Sequence, residues 1–214
     1  MILKEDSTEQ KLRGAYYTPL KLAEKMVDFF KKDASIKSIL EPSCGDGVFV
    51  DALVETQFLT QNRKVTAIEI EKNEAQKVAE KLKNNPNVSV VNRDFFEFYQ
   101  KYKDINKYDM ILGNPPYQES DGGAGVSATP VYNKFIEETK KLDPEVMDLI
   151  IPAKWYSGGK GLDQFREAML NDPKISVLVD YTSSLDVFPG VDVAGGVCYF
   201  IRDAKHNGEC KFTN

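Results

Sequence analysis

Short runs rich in Val and Ile alternate along the chain with longer stretches whose apolar residues recur every three or four positions. Residues 38–43 (SILEPS), 64–70 (KVTAIEI), 88–92 (VSVVN), 108–113 (YDMILG), 146–152 (VMDLIIP) and 175–181 (ISVLVDY) are of the first kind. Such near-continuous apolar runs suit strands covered on both faces. Between them, four groups keep the spacing of a helix face: Leu22, Met26, Phe29 and Phe30; Ala75, Val78, Ala79 and Leu82; Val131, Phe135 and Ile136; Leu162, Phe165, Met169 and Leu170. Thr18-Pro19 and Thr129-Pro130 read as helix starts, each a capping hydroxyl before a Pro at the first helical position. Strands alternating with helices predict a doubly wound α/β sheet. A final run, Gly195 to Ile201, follows its predecessor with no room for a crossover helix. The expected sheet is therefore mostly parallel and seven-stranded, with its last strand antiparallel.

The 214 residues predict one domain over 1–214, with 1–34 as a leading segment and helix and 35–203 as the core. Residues 118–129 (QESDGGAGVSAT) and 157–161 (SGGKG) read as loops. Both leave the carboxyl edge of the sheet, so they are either plain surface loops or loops that order on substrate. The 28 Lys and Arg against 33 Asp and Glu give a net charge of -5, opposite to the footprint of a free-standing nucleic-acid binder. No signal peptide is evident, and no apolar run approaches the roughly 20 residues of a membrane helix, so a cytoplasmic chain without a membrane partner is expected. Cys44, Cys198 and Cys210 form no CxxC, and His206 is the single histidine, so neither a disulfide framework nor a metal site is expected.

Candidate chemistry clusters at successive predicted strand ends. Glu41-Pro42-Ser43-Cys44-Gly45-Asp46-Gly47 is a strand running into a tight turn and then a helix, where Gly45 and Gly47 admit a close ligand. A dinucleotide fingerprint would place a third glycine where this chain has Val50, so a nucleoside cofactor without pyrophosphate fits better. Glu69, ending the next strand, can accept both ribose hydroxyls. Asp94, just past the third, can accept from an adenine amino group while Phe95 or Phe96 packs on the ring; equally, Asp94 could cap a helix and the two aromatic residues could be core. The fourth strand runs into Asn114-Pro115-Pro116-Tyr117. As a structural element this is a stiff turn. As chemistry, the Asn114 side-chain oxygen and the Pro115 carbonyl are two fixed acceptors for an aromatic exocyclic amine, held before substrate arrives by the prolines, including Pro116. Tyr117 offers a face for a flipped base.

Together these motifs resemble the amino-methyltransferases of restriction-modification systems, specifically adenine-N6 DNA methyltransferases of the Eco57I and Taq type. The resemblance spans about residues 13–203 and adds Arg13-Gly14-Ala15-Tyr16-Tyr17-Thr18-Pro19, Pro152-Ala153-Lys154-Trp155 and Phe188-Pro189-Gly190-Val191. It implies a Rossmann-like S-adenosylmethionine-dependent fold and methyl transfer from S-adenosylmethionine to a flipped adenine. It further implies cofactor contacts from Tyr17, Thr18, Glu41, Pro42, Cys44, Gly45, Gly47, Glu69, Asp94, Phe95 and Asn114, with Tyr17 and Thr18 at the methionine end. Cytosine-C5 chemistry is excluded, since no cysteine follows a proline, and Asn114 in place of Ser favours adenine over cytosine-N4. The resemblance also implies a target-recognition domain, which is not expected within residues 1–214. Double-stranded DNA is then a partner through a further segment or subunit, with a linked restriction endonuclease as another. Two other readings remain: a protein-glutamine N5 methyltransferase, which also uses N-P-P-Y, and a non-catalytic cofactor-binding subunit.

Overall fold

The computed structural model describes residues 16–118, 129–159, 161–190 and 192–214. Its apolar runs become strands β1 (Ser38–Glu41), β2 (Lys64–Glu69), β3 (Val88–Asn92), β4 (Met110–Gly113), β5 (Val146–Pro152), β6 (Ile175–Tyr181), β7 (Val197–Asp203) and β8 (Lys211–Thr213). The intervening periodic segments form α1 (Leu20–Asp28), α2 (Val48–Glu55), α3 (Lys72–Lys81), α4 (Phe95–Tyr102), α5 (Tyr132–Lys141) and α6 (Asp163–Leu170). β1 stops at Glu41 because Pro42 lacks the N–H that would continue the ladder.

The strands form one sheet in the order β3-β2-β1-β4-β5-β7-β6-β8. Successive residues of each strand face opposite ways, so the sheet feeds two cores. Ile39, Ala67, Met110 and Ile150 pack with α1 and α2 residues such as Met26 and Phe49. Leu40, Ile68, Ile111 and Leu149 pack with α4, α5 and α6 through Phe95, Phe135 and Phe165. The doubly wound, mostly parallel arrangement is the one expected. β7 runs antiparallel to both β5 and β6 and lies between them. The sheet has eight strands and not seven: β8 adds to the far edge, parallel to β6. All three of its residues are exposed, so no buried pattern announced it.

Neither expected Thr cap forms. Pro19 itself is the N-cap of α1, in extended conformation, and α5 starts at Tyr132 after Val131. The Pro19 carbonyl accepts from Leu22 and Ala23, which frees the Thr18 hydroxyl for another partner. Pro130 instead bridges Gln118 across the loop base. The expected 118–129 loop falls largely outside the described residues. In the other Gly-rich stretch, a 3-10 turn over Ala153–Ser157 leads into Gly158.

One buried cation ties the layers at the amino edge. Arg63 donates to the carbonyls of Ile36 (3.0 Å), Phe58 (2.6 Å) and Asp33 (2.6 Å), and its guanidinium lies 3.9 Å from the Phe58 ring centroid. Arg63→Met would leave those carbonyls without a donor while roughly conserving volume. Denaturant unfolding should then show a loss of about 2–4 kcal/mol; a loss below about 0.5 kcal/mol would contradict this role.

Candidate active site

β1 lies between β2 and β4, and the chain winds outward from it in both directions. That is a topological switch point, where the loops after neighbouring strands splay apart and leave a crevice. A cleft of about 600 Å³ opens there. Its walls come from the segment ahead of α1, the β1–α2 turn, the ends of β2 and β3, and the loop after β4.

Gly45 has φ +54, and a Cβ there would meet the Tyr17 ring at 3.4 Å. The turn is held by Glu69, whose two oxygens accept from the Gly45 N–H (2.8 Å) and the Glu71 N–H (2.7 Å). Burial raises the Glu69 carboxyl above its ordinary value, and those two N–H groups oppose the shift. Each oxygen keeps a further lone pair for a hydroxyl donor. Glu41 is more unusual: it is 2% exposed, lines the cleft, and neither of its oxygens has a partner among the described residues. Burial first, then the Asp46 and Asp51 charges, pushes its carboxyl well above the usual carboxylate range, against the pull of Lys81.

The opposite wall is aromatic. Phe95 stacks on Phe135 with centroids 5.0 Å apart, and Phe96 meets Phe135 edge-on at 4.8 Å. Asp94 caps α4, its Oδ1 accepting from the Glu97 N–H at 3.1 Å, and it also lines the cleft.

Asn114 is pinned from two directions. Its Nδ2 donates to the Tyr16 carbonyl (2.8 Å) and to Thr18 Oγ1 (3.1 Å), and its backbone carbonyl accepts from Ser43 Oγ (3.1 Å). Its Oδ1 is buried and has no hydrogen-bond partner among the described residues. Tyr117 is buried, with its ring 4.7 Å from that of Tyr16, and its hydroxyl is likewise unpartnered among the described residues. It does not line the cofactor-sized cleft. Instead it borders a second cavity of about 290 Å³ together with Tyr16, Gln118, Tyr132, Lys154 and Val193.

Of the predicted residues, Tyr17, Thr18, Glu41, Pro42, Cys44, Gly45, Glu69, Asp94, Phe95, Asn114 and Pro116 line the first cleft. Pro115 and Gly47 do not. Gly47 has φ +80 as the N-cap of α2, and a Cβ there would stand 3.0 Å from Val78 Cγ1, so it serves helix packing. Ser43, Arg93 and Phe135 were not anticipated as lining residues. Ser43 lies within the Glu41–Gly47 motif; Phe135 carries only the signal of a core position.

A family model described as Eco57I restriction-modification methylase matches residues 11–188. An uncharacterized adenine-specific methylase of Mycoplasma pneumoniae is 32% identical over 123 residues, covering 56% of this chain and 29% of that protein. Modification methylase CviBIII of Paramecium bursaria Chlorella virus NC1A is 32% identical over 118 residues, covering 54% of this chain and 28% of that protein. The chain thus spans under a third of the length of these curated relatives. Among solved structures, a type I restriction-modification methyltransferase subunit from Streptococcus thermophilus superposes with TM-score 0.70 at 15% identity, covering 89% of this chain and 44% of that one. The fold is therefore that of the S-adenosylmethionine-dependent methyltransferases, and the matched model extends over most of the sequence. On that match, the chain belongs to the Eco57I restriction-modification methylase family.

Proposed function

We propose that this chain is the catalytic part of a DNA methyltransferase that moves the methyl group of S-adenosylmethionine to N6 of a flipped adenine within a restriction-modification system. The observation that carries this reading is the buried Asn114 Oδ1 beside the cleft, without a hydrogen-bond partner among the described residues. An acceptor left without a donor costs about 1–3 kcal/mol and is recovered when a substrate N–H arrives. An exocyclic amine has its lone pair delocalised into the ring; accepting from its N–H groups favours the tetrahedral nitrogen that attacks a methyl. Asn114 Oδ1 and the Pro115 carbonyl would take those two protons' hydrogen bonds, and Tyr117 and the cavity behind it would receive the planar base.

The cleft's residues fit the cofactor. Glu41, buried without a partner among the described residues, suits a cationic ammonium; Glu69 at the end of β2 suits ribose hydroxyls; Asp94 with the Phe95 and Phe96 wall suits an adenine ring. When bound, S-adenosylmethionine supplies an electrophilic methyl on sulfur. The methylated nitrogen then loses one proton to solvent.

The net charge of -5 supports the further proposal that a segment or subunit outside this chain reads the DNA sequence and makes most phosphate contacts. Likeness to a methyltransferase subunit of a type I system agrees with that division of labour. A linked endonuclease is part of the same proposal. None of the described helices is long and apolar enough to cross a membrane. The test is incubation of the full-length protein with methyl-labelled cofactor and double-stranded DNA, followed by digestion to nucleosides. Label in N6-methyldeoxyadenosine is expected; label in N4-methyldeoxycytidine, or on protein glutamine alone, would overturn the reading.

A further inference from the structure

A carboxamide has two ends of nearly equal size, one an acceptor and the other a double donor. For Asn114 to receive a substrate N–H, its oxygen must face the amine. A half-turn of the terminal torsion would present N–H to N–H and abolish the contact. What selects the productive orientation lies almost a hundred residues upstream, in the segment ahead of α1. Asn114 Nδ2 donates to the Tyr16 carbonyl at 2.8 Å and to Thr18 Oγ1 at 3.1 Å. The carbonyl can only accept, so the nitrogen must lie on that side. Thr18 is 4% exposed, and its hydroxyl makes no capping bond to α1. Ser43 Oγ holds the Asn114 backbone carbonyl at 3.1 Å, which leaves the side-chain torsion as the remaining freedom.

We infer that Thr18 is a positioning residue for methyl transfer: its hydroxyl accepts the second Asn114 Nδ2 proton and so holds the carboxamide in the orientation that the accept-only Tyr16 carbonyl selects, with Oδ1 turned to the substrate amine. The inference rests on the role proposed above for Asn114. It separates Thr18 from a simple cofactor contact, because its effect falls on the chemical step and not on cofactor affinity.

The experiment compares Thr18→Val, which keeps shape and loses the hydroxyl, with Thr18→Ser, which keeps the hydroxyl, in the full-length protein. At saturating cofactor and DNA, Thr18→Val should slow single-turnover methyl transfer by roughly five- to tenfold, the worth of one hydrogen bond. Thr18→Ser should restore the rate, and calorimetric cofactor affinity should change by less than about threefold in both. In an Asn114→Ala background, Thr18→Val should have no further effect, since no amide remains to hold. A readout free of turnover is the Asn114 side-chain amide in an N-15 spectrum, identified by its loss in Asn114→Ala; the proton that Thr18 accepts should shift in Thr18→Val without substrate, while the one held by the Tyr16 carbonyl shifts less. Weakened cofactor binding with an unchanged rate, or an unchanged Asn114 amide signal, overturns the inference. Should the wild type methylate some other amine, with Thr18→Val slowing that transfer equally, the positioning role stands and the substrate reading falls.

Discussion

Asn114→Ala should lower the rate of methyl transfer by roughly 10³-fold while leaving S-adenosylmethionine affinity within a few fold. Loss of one preorganised hydrogen-bonding group at a reacting centre costs on the order of 10²–10³ in turnover. Here the oxygen is also buried and already aligned, since Tyr16, Thr18 and Ser43 hold the residue before substrate arrives. Alanine removes the acceptor and leaves the substrate amine planar and unreactive. The prolines on either side of the carbonyl keep the loop in place, so cofactor binding has little reason to change. Single-turnover kinetics and titration calorimetry check the two halves separately. A large loss of cofactor affinity would mean that Asn114 is chiefly a cofactor ligand.

Glu41→Gln should weaken cofactor binding by roughly 10²-fold, the usual scale for losing one partner of a buried charge pair. The sign of the pH effect is fixed by the shift. In the empty cleft the Glu41 carboxyl is held well above its ordinary value near 4.5, so over that interval the folded protein binds a proton that the unfolded chain has released. Its stability accordingly falls as pH rises from about 4.5 toward the raised value. A bound ammonium needs the carboxylate, so binding expels the proton and grows tighter with pH across the same interval. Calorimetry in two buffers of different ionisation enthalpy should show proton release for the wild type and none for Glu41→Gln. Equal binding heats in both buffers for the wild type would remove Glu41 from this role. Glutamine is neutral and nearly isosteric, so its unfolding temperature should not drop.

Much of this was legible in the residues. β1, β2 and β4 were visible as apolar runs because both faces are largely covered, whereas the edge strand β3 showed as a Val-rich run without a fully buried residue, and the crevice followed from which strand ends carried Gly45, Glu69, Asp94 and Asn114. What escaped depends on contacts between distant segments. Thr18 has the local signature of a helix cap, yet it serves Asn114, 96 positions away. Gly47 shares a motif with Gly45 but its constraint comes from Val78 on the next helix. Asp148 interrupts β5 as its third residue, wholly buried with both oxygens unpartnered among the described residues, and burial pushes its carboxyl well above the ordinary range. A run read for its apolar character gives no hint that its one acid is buried without a partner among the described residues. β8 has no buried face, so no periodicity could reveal it.

The place of β7 also governs how the chain can be made. β5, buried along its whole length, is synthesised with one edge reserved for a strand that emerges only after α6 and β6. β6 does not hold that edge in the finished sheet, where β7 stands between them. During translation the segments that form the cleft and the Asn114 loop therefore emerge while an apolar strand edge still lies open, the kind of surface that pairs with other chains. β6 and β7 pair antiparallel along nearly their full length, so they can form a unit of their own and close the gap in one move. A nascent chain stalled between these events would hold the cleft-forming segments on a sheet prone to aggregation.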